Sequence, residues 1–150
     1  MAGFYSANVQ PAAPGTTNDV LTLTAAASRR VFLHEVSVAG LGTTSVANEL
    51  GVFRATTVGV TPTAQTAVLF DPHQAAFAGT VATAWSTQPV LASVPLLRLG
   101  CNSNGGVYRW VAKPGSEIAL FSNVTTGQVS CRFTTGGAGP MSVFIVFEEI

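Results

Sequence analysis

The chain has 150 residues, 47% of them hydrophobic and only 9% charged, with a formal net charge of +0. That length suits one domain with a sizeable core, and the charge balance provides no field for nucleic acid or an anionic membrane. A charged share far below the usual, roughly a quarter, marks a surface prone to meet other protein surfaces.

Met1 to Ser6 lacks the basic start of a secretion signal, and Pro11 and Pro14 interrupt the next stretch of chain. No stretch approaches the roughly 20 apolar residues of a membrane-spanning helix. Synthesis in a reducing cytoplasm is therefore expected. Residues 1–19 read as an extended N-terminal arm, detached by the run PAAPGTTN, with Phe4 and Tyr5 as anchors for a neighbouring subunit.

Residues 20–150 read as one domain of short strands separated by turn chemistry. Val20 to Thr24 alternates, and Arg29 to Ala39 is the longest β-like run. Asn48 to Thr56 comes after a Gly/Thr-rich turn. Asp71 to Ala78 is the one helical candidate, with Asp71 as N-cap, Pro72 at the first helical position and Gly79 as stop. Val81 to Trp85 and Leu96 to Leu99 are short strands. Asn102 to Gly106 (NSNGG) is a strong turn, because Asn and Gly accept positive φ cheaply. Val107 to Val111, Glu117 to Ser122 and Gln128 to Thr134 are the next strands, and a Gly-rich break precedes the last one. The expected class is an all-β antiparallel sandwich with at most one short helix. Greek-key closure would make it jelly-roll-like.

The last strand, Met141 to Ile150, is apolar on both faces. Alternation puts Met141, Val143, Ile145 and Phe147 on one face and Phe144 and Val146 on the other. A single domain covers one face of its sheet with its own core, so the second face calls for another copy or a larger assembly.

Reactive groups are sparse. His34 and Glu35 adjoin within a strand, which predicts opposite faces and no dyad. His73 sits near Asp71, and both histidines read as structural. Asp19, Asp71, Glu35, Glu49, Glu117, Glu148 and Glu149 are scattered, with no nucleophile elbow and no phosphate loop. No catalytic residue, cofactor or metal is expected. Cys101 and Cys131 lack the histidines of a zinc site and read as buried thiols rather than a disulfide. Asn123 to Thr125 fits a glycosylation triplet that a cytoplasmic route would leave unused. Tyr108 and Trp110 share one face of their strand. For them and for Trp85, core packing, a subunit anchor and a carbohydrate platform all remain open.

Five segments carry a resemblance. They are Ser28 to Val31 with Leu33 to Val36, Thr83 to Trp85, Leu97 to Leu99, Trp110 with Lys113 to Gly115, and the terminal Val146 to Glu149. From about Val20 onward the chain resembles short virion structural proteins of tailed bacteriophages. The resemblance implies a jelly-roll head decoration (cement) protein, often trimeric, bound to a major capsid protein or other virion protein. It implies location on the virion, with no nucleic acid or membrane partner. A receptor- or glycan-binding appendage is the alternative, and an enzyme ranks last. The expected interface residues are Phe4, Tyr5, Tyr108, Trp110, Phe144 and Val146.

Overall fold

The computed structural model describes residues 2–12, 14–121, 127–135, 137 and 139–150. Ser122 and the Asn123 to Thr125 triplet lie outside the described residues. In chain order the strands are β1 (Gly3–Ala12), β2 (Leu21–Thr24), β3 (Arg30–Gly40), β4 (Ala47–Thr57), β5 (Val60–Gln65), β6 (Val68–Leu69) and β7 (Thr80–Thr87). They continue with β8 (Val90–Leu91), β9 (Leu97–Asn102), β10 (Val107–Val111), β11 (Ile118–Phe121), β12 (Gln128–Thr135) and β13 (Met141–Glu149).

Two antiparallel sheets pack face to face. One runs β10-β3-β13-β1-β6, with β11 continuing beside β3; the other runs β5-β7-β2-β12-β4-β8, with β9 also against β4. Setting aside β5 to β8, the chain places β1, β3, β10/β11 and β13 in one sheet and β2, β4, β9 and β12 in the other. The resulting orders, β1-β13-β3-β10 and β2-β12-β4-β9, are those of a jelly roll. The segment between β4 and β9 is an insertion that furnishes edges. β5 and β7 extend the second sheet, while β6 covers part of β1. Pro62 in β5 blunts that outermost edge, where a missing N–H costs nothing.

The core lies between the sheets, and alternation sets it. In β13, Met141, Val143, Ile145, Phe147 and Glu149 are buried, while Ser142, Phe144, Val146 and Glu148 are half-buried on the outside. Val31, Leu33, Val36 and Val38 of β3 meet Leu21, Leu23, Leu50, Val52 and Phe133 across the sandwich.

Three expectations are corrected. Residues 3–12 are no arm: β1 pairs with β13 from Gly3 opposite Glu149 to Ala12 opposite Met141, and Tyr5 and Ala7 belong to the core. Pro11 does not detach this segment, since it sits at the strand's end and interrupts nothing upstream. Asp71 to Ala78 is no helix. Asp71 closes a single turn, its Oδ1 accepting from His73 N (2.9 Å) and its carbonyl from Gln74 N (3.1 Å). Beyond it, the backbone groups a helix would use go elsewhere: Ala75 O accepts from the Tyr5 hydroxyl (2.9 Å), and Ala78 N donates to Glu149 Oε2 (3.2 Å). Finally, His34 and Glu35 share a face. The β3–β13 register slips between Val146 opposite Glu35 and Phe147 opposite Leu33, so a bulge turns both side chains outward.

Candidate functional site

The outer face of the β10-β3-β13-β1 sheet is the first candidate. Ladder partners share a face, which places Phe144 in a row with Asn8 and Ser37, and Val146 in a row with Ser6 and Glu35. β10 extends these two rows with Arg109 and Val111 and places Val107 in the next one, beside Ala39 and Ser142, and β6 adds Val68. Val107, Val111 and Val68 are 69%, 51% and 58% exposed. Two carboxylates on this face are paired with neighbouring side chains. Arg109 grips Glu35 through two bonds of 2.6 and 2.7 Å, and His34 Nε2 lies 3.1 Å from Glu148 Oε2. Phe4, which is exposed, packs its ring against His34 at 5.5 Å between centroids. The face thus mixes apolar side chains with small polar ones, and the Glu35 and Glu148 carboxylates on it are paired.

Of the six expected interface residues, the sheet brings Phe4, Phe144 and Val146 onto this one face. Tyr5 is corrected: it points inward, its ring 5.6 Å from Phe147 and 5.4 Å from Phe77. Tyr108 and Trp110 lie opposite Val38 and Val36 and so belong to the inner side of β10. Trp110 packs on the core and Tyr108 stays exposed at its margin. The exposed outer residues of β10 are instead Val107 and Val111, which aromatic content does not single out. Their signal is the same alternation, with the valines taking the outer side.

A second candidate lies on the β2-β12-β4 sheet, where the outward Thr22 and Ser130 are polar yet buried. Arg132 Nε donates to Asp19 Oδ1 at 2.6 Å and Nη2 to Pro89 O at 3.3 Å. Thr22 and Ser130 hydroxyls meet at 3.1 Å, and Trp85 Nε1 donates to Thr22 Oγ1 at 3.2 Å. Asp19 is buried, its N–H donates to Gln88 Oε1 (3.0 Å), and its Oδ2 has no partner. Burial raises the Asp19 pKa, opposed by the Ser130 hydroxyl and the Arg132 guanidinium. The pair separates two clefts. One of about 580 Å³ includes Arg132, Arg98 and Phe53; the other, of about 440 Å³, includes Asp19 and Trp85. The sequence offers no pointer to this convergence, because Asp19 and Arg132 are far apart in the chain.

Cys101 and Cys131 are free and buried on either side of β4, opposite Asn48 and Val52 respectively. Four residues of strand separate those rows by about 13 Å, well beyond disulfide reach. Burial pushes the Cys101 thiol up to about 11 and that of Cys131 up to about 12. Among the described residues no group of three or more His, Cys, Asp or Glu side chains converges on a point that could hold a metal ion.

No protein-family model matches the chain, and no curated protein matches it in sequence.

Proposed function

We propose that the protein is a non-catalytic structural subunit that assembles with copies of itself. Its role is that of a trimeric decoration protein reinforcing the head of a tailed bacteriophage. The observation that carries this reading is the outer face of the β10-β3-β13-β1 sheet, where Phe144, Val146, Val107 and Val111 line up between charges already paired with each other. Covering such a face removes apolar area from water without stranding an ion. A standard interface takes roughly 800 Å² from each partner, about a tenth of the 7268 Å² this chain exposes. The jelly roll and the segments resembling phage virion proteins supply the setting. Subunits bridging capsid neighbours add binding free energy to the assembled shell.

Sedimentation velocity at micromolar concentration tests the assembly. The wild type is expected as a trimer and Val146→Asp as a β-rich monomer, since an unpaired charge resists burial. Heads lacking the protein are expected to release DNA at lower temperature than complete heads. A wild type that stays monomeric both in solution and on particles overturns the assembly. Heads that remain equally robust but no longer adsorb to cells overturn the reinforcing role.

A further inference from the structure

Six asparagines are spread along the chain, and only Asn104 is followed by glycine. It stands at the tip of the connection that carries the chain from β9 in one sheet to β10 in the other. We propose that Asn104 is a site of spontaneous covalent modification. Its side chain cyclises onto the Gly105 amide, and water then opens the ring to isoaspartate and aspartate.

The reaction needs a backbone nitrogen free to approach a side-chain carbonyl carbon. Once hydroxide has taken its proton, Gly105 N attacks Cγ of Asn104. The N–Cγ bond forms, and Nδ2 leaves as ammonia with a proton from water. Water then adds to either carbonyl of the cyclic imide. Breaking the N–Cγ bond gives aspartate in the ordinary chain, whereas breaking the bond from N to the main-chain carbonyl carbon gives isoaspartate, with the chain routed through Cγ. Overall one water enters and one ammonia leaves, and nothing is oxidised or reduced. The product carries a negative charge that the amide lacked.

At Asn104 the fold leaves both reacting groups open. The residue is exposed, and among the described residues no hydrogen bond engages its side chain or the Gly105 N–H. Gly105 stands at φ 92°, and a Cβ added there would meet nothing within 4 Å, so no side chain crowds the nitrogen as it swings toward Cγ. The upstream side is fixed instead. Asn104 N donates to Asn102 Oδ1 at 2.9 Å, and buried Ser103 donates through N to Val46 O (2.9 Å) and accepts through O from Gly42 N (2.7 Å). Elsewhere the fold withdraws one group or the other. Asn18 precedes Asp19, whose N–H is taken by Gln88 Oε1 at 3.0 Å. Asn48 is buried, its Oδ1 accepting from Gly137 N at 2.8 Å. Asn102 donates to Ser45 Oγ at 2.8 Å, and the N–H after it is the Ser103 group bound to Val46 O. Asn8 precedes Val9, a branched residue in the β1–β13 ladder opposite Val143. Asn123, outside the described residues, also precedes a valine. Conversion at Asn104 places a carboxylate, and in isoaspartate one extra backbone atom, just ahead of Val107 and Tyr108. It needs no partner, so the inference stands independently of how copies assemble.

The test ages the intact, folded protein at mildly alkaline pH below its melting temperature, then maps it by digestion and fragmentation mass spectrometry. Asn104 is expected to convert ahead of every other asparagine, with both isoaspartate and aspartate present and a rate that rises with pH. Hydroxylamine, which cleaves the cyclic imide, should cut the native chain after Asn104. Because Asn104 is exposed, Asn104→Gln should fold like the wild type and lose both the conversion and the cut. A chain unfolded in urea serves as the reference. Conversion of another asparagine ahead of Asn104 in the folded protein overturns the inference. So does a native Asn104 that stays intact, whether or not the unfolded chain converts, or a hydroxylamine cut that survives Asn104→Gln.

Discussion

Tyr5 tests whether the first strand is structural or dispensable. It is 3% exposed, stacks on Phe147 and meets Phe77 at a tilt, and its hydroxyl donates to Ala75 O at 2.9 Å. Tyr5→Phe deletes only the hydrogen bond and is expected to cost about 1 kcal/mol. Tyr5→Ala removes the ring and leaves a cavity, a change that typically costs about 3–5 kcal/mol. Two aromatic contacts of about 0.5–1.5 kcal/mol each place it at the upper end. Against a total stability of about 5–15 kcal/mol, that is a large share. Urea unfolding followed by circular dichroism, at fixed protein concentration, should show lower midpoints with an unchanged slope. The pH dependence comes from the raised phenol pKa, caused first by burial and then by Glu149, with Arg29 opposing. The folded state disfavours the phenolate. The corresponding stability is therefore fully present below the unfolded value of 10.0 and lost as pH rises through the higher folded value. Tyr5→Phe should lack that alkaline loss. A Tyr5→Ala protein within about 0.5 kcal/mol of wild type would mean that β1 is an accessory arm after all.

The buried polar and thiol groups give further expected outcomes. Arg132→Met strands the Asp19 carboxylate, whose side chain is 1% exposed, and should cost about 3–5 kcal/mol in thermal or urea unfolding. The double variant Asp19→Asn/Arg132→Met should recover part of that loss; an Arg132→Met protein as stable as wild type would show that the pair is solvated. Cys101 and Cys131, with pKa values pushed up to about 11 and about 12, should react negligibly with Ellman's reagent at neutral pH until the protein is unfolded. Cys101→Ala/Cys131→Ala should fold with a loss of about 1–3 kcal/mol. Wild-type protein destabilised by dithiothreitol would contradict this reading.

The sandwich is legible in the sequence because period-two alternation records which side of a strand is dry. Met141 to Phe147 spell out both faces of β13, and the Asn102 to Gly106 turn is built as expected, with Gly105 and Gly106 at φ 92° and 84°. What stays hidden depends on contacts distant in sequence. Asp71 and Pro72 promise a helix start, but Tyr5 and Glu149, from opposite ends of the chain, claim the backbone groups first. The bulge at His34 and Glu35 breaks alternation by one residue, and only pairing with β13 reveals it. The polar seam is illegible for the same reason: Asp19, Thr22, Trp85, Ser130 and Arg132 are brought together by sheet order alone.

Pairing β1 with β13 also makes the fold nearly a closed circuit. Gly3 lies directly opposite Glu149, one strand spacing away, about 5 Å. A few linking residues could join the chain's ends without disturbing either sheet. The cut could then be moved to the exposed turn at Asn104 and Gly105, which bridges β9 and β10 at the crossing between sheets. The architecture requires neighbouring strands but no first strand, and cargo attached at either present end would emerge from the same corner of the molecule.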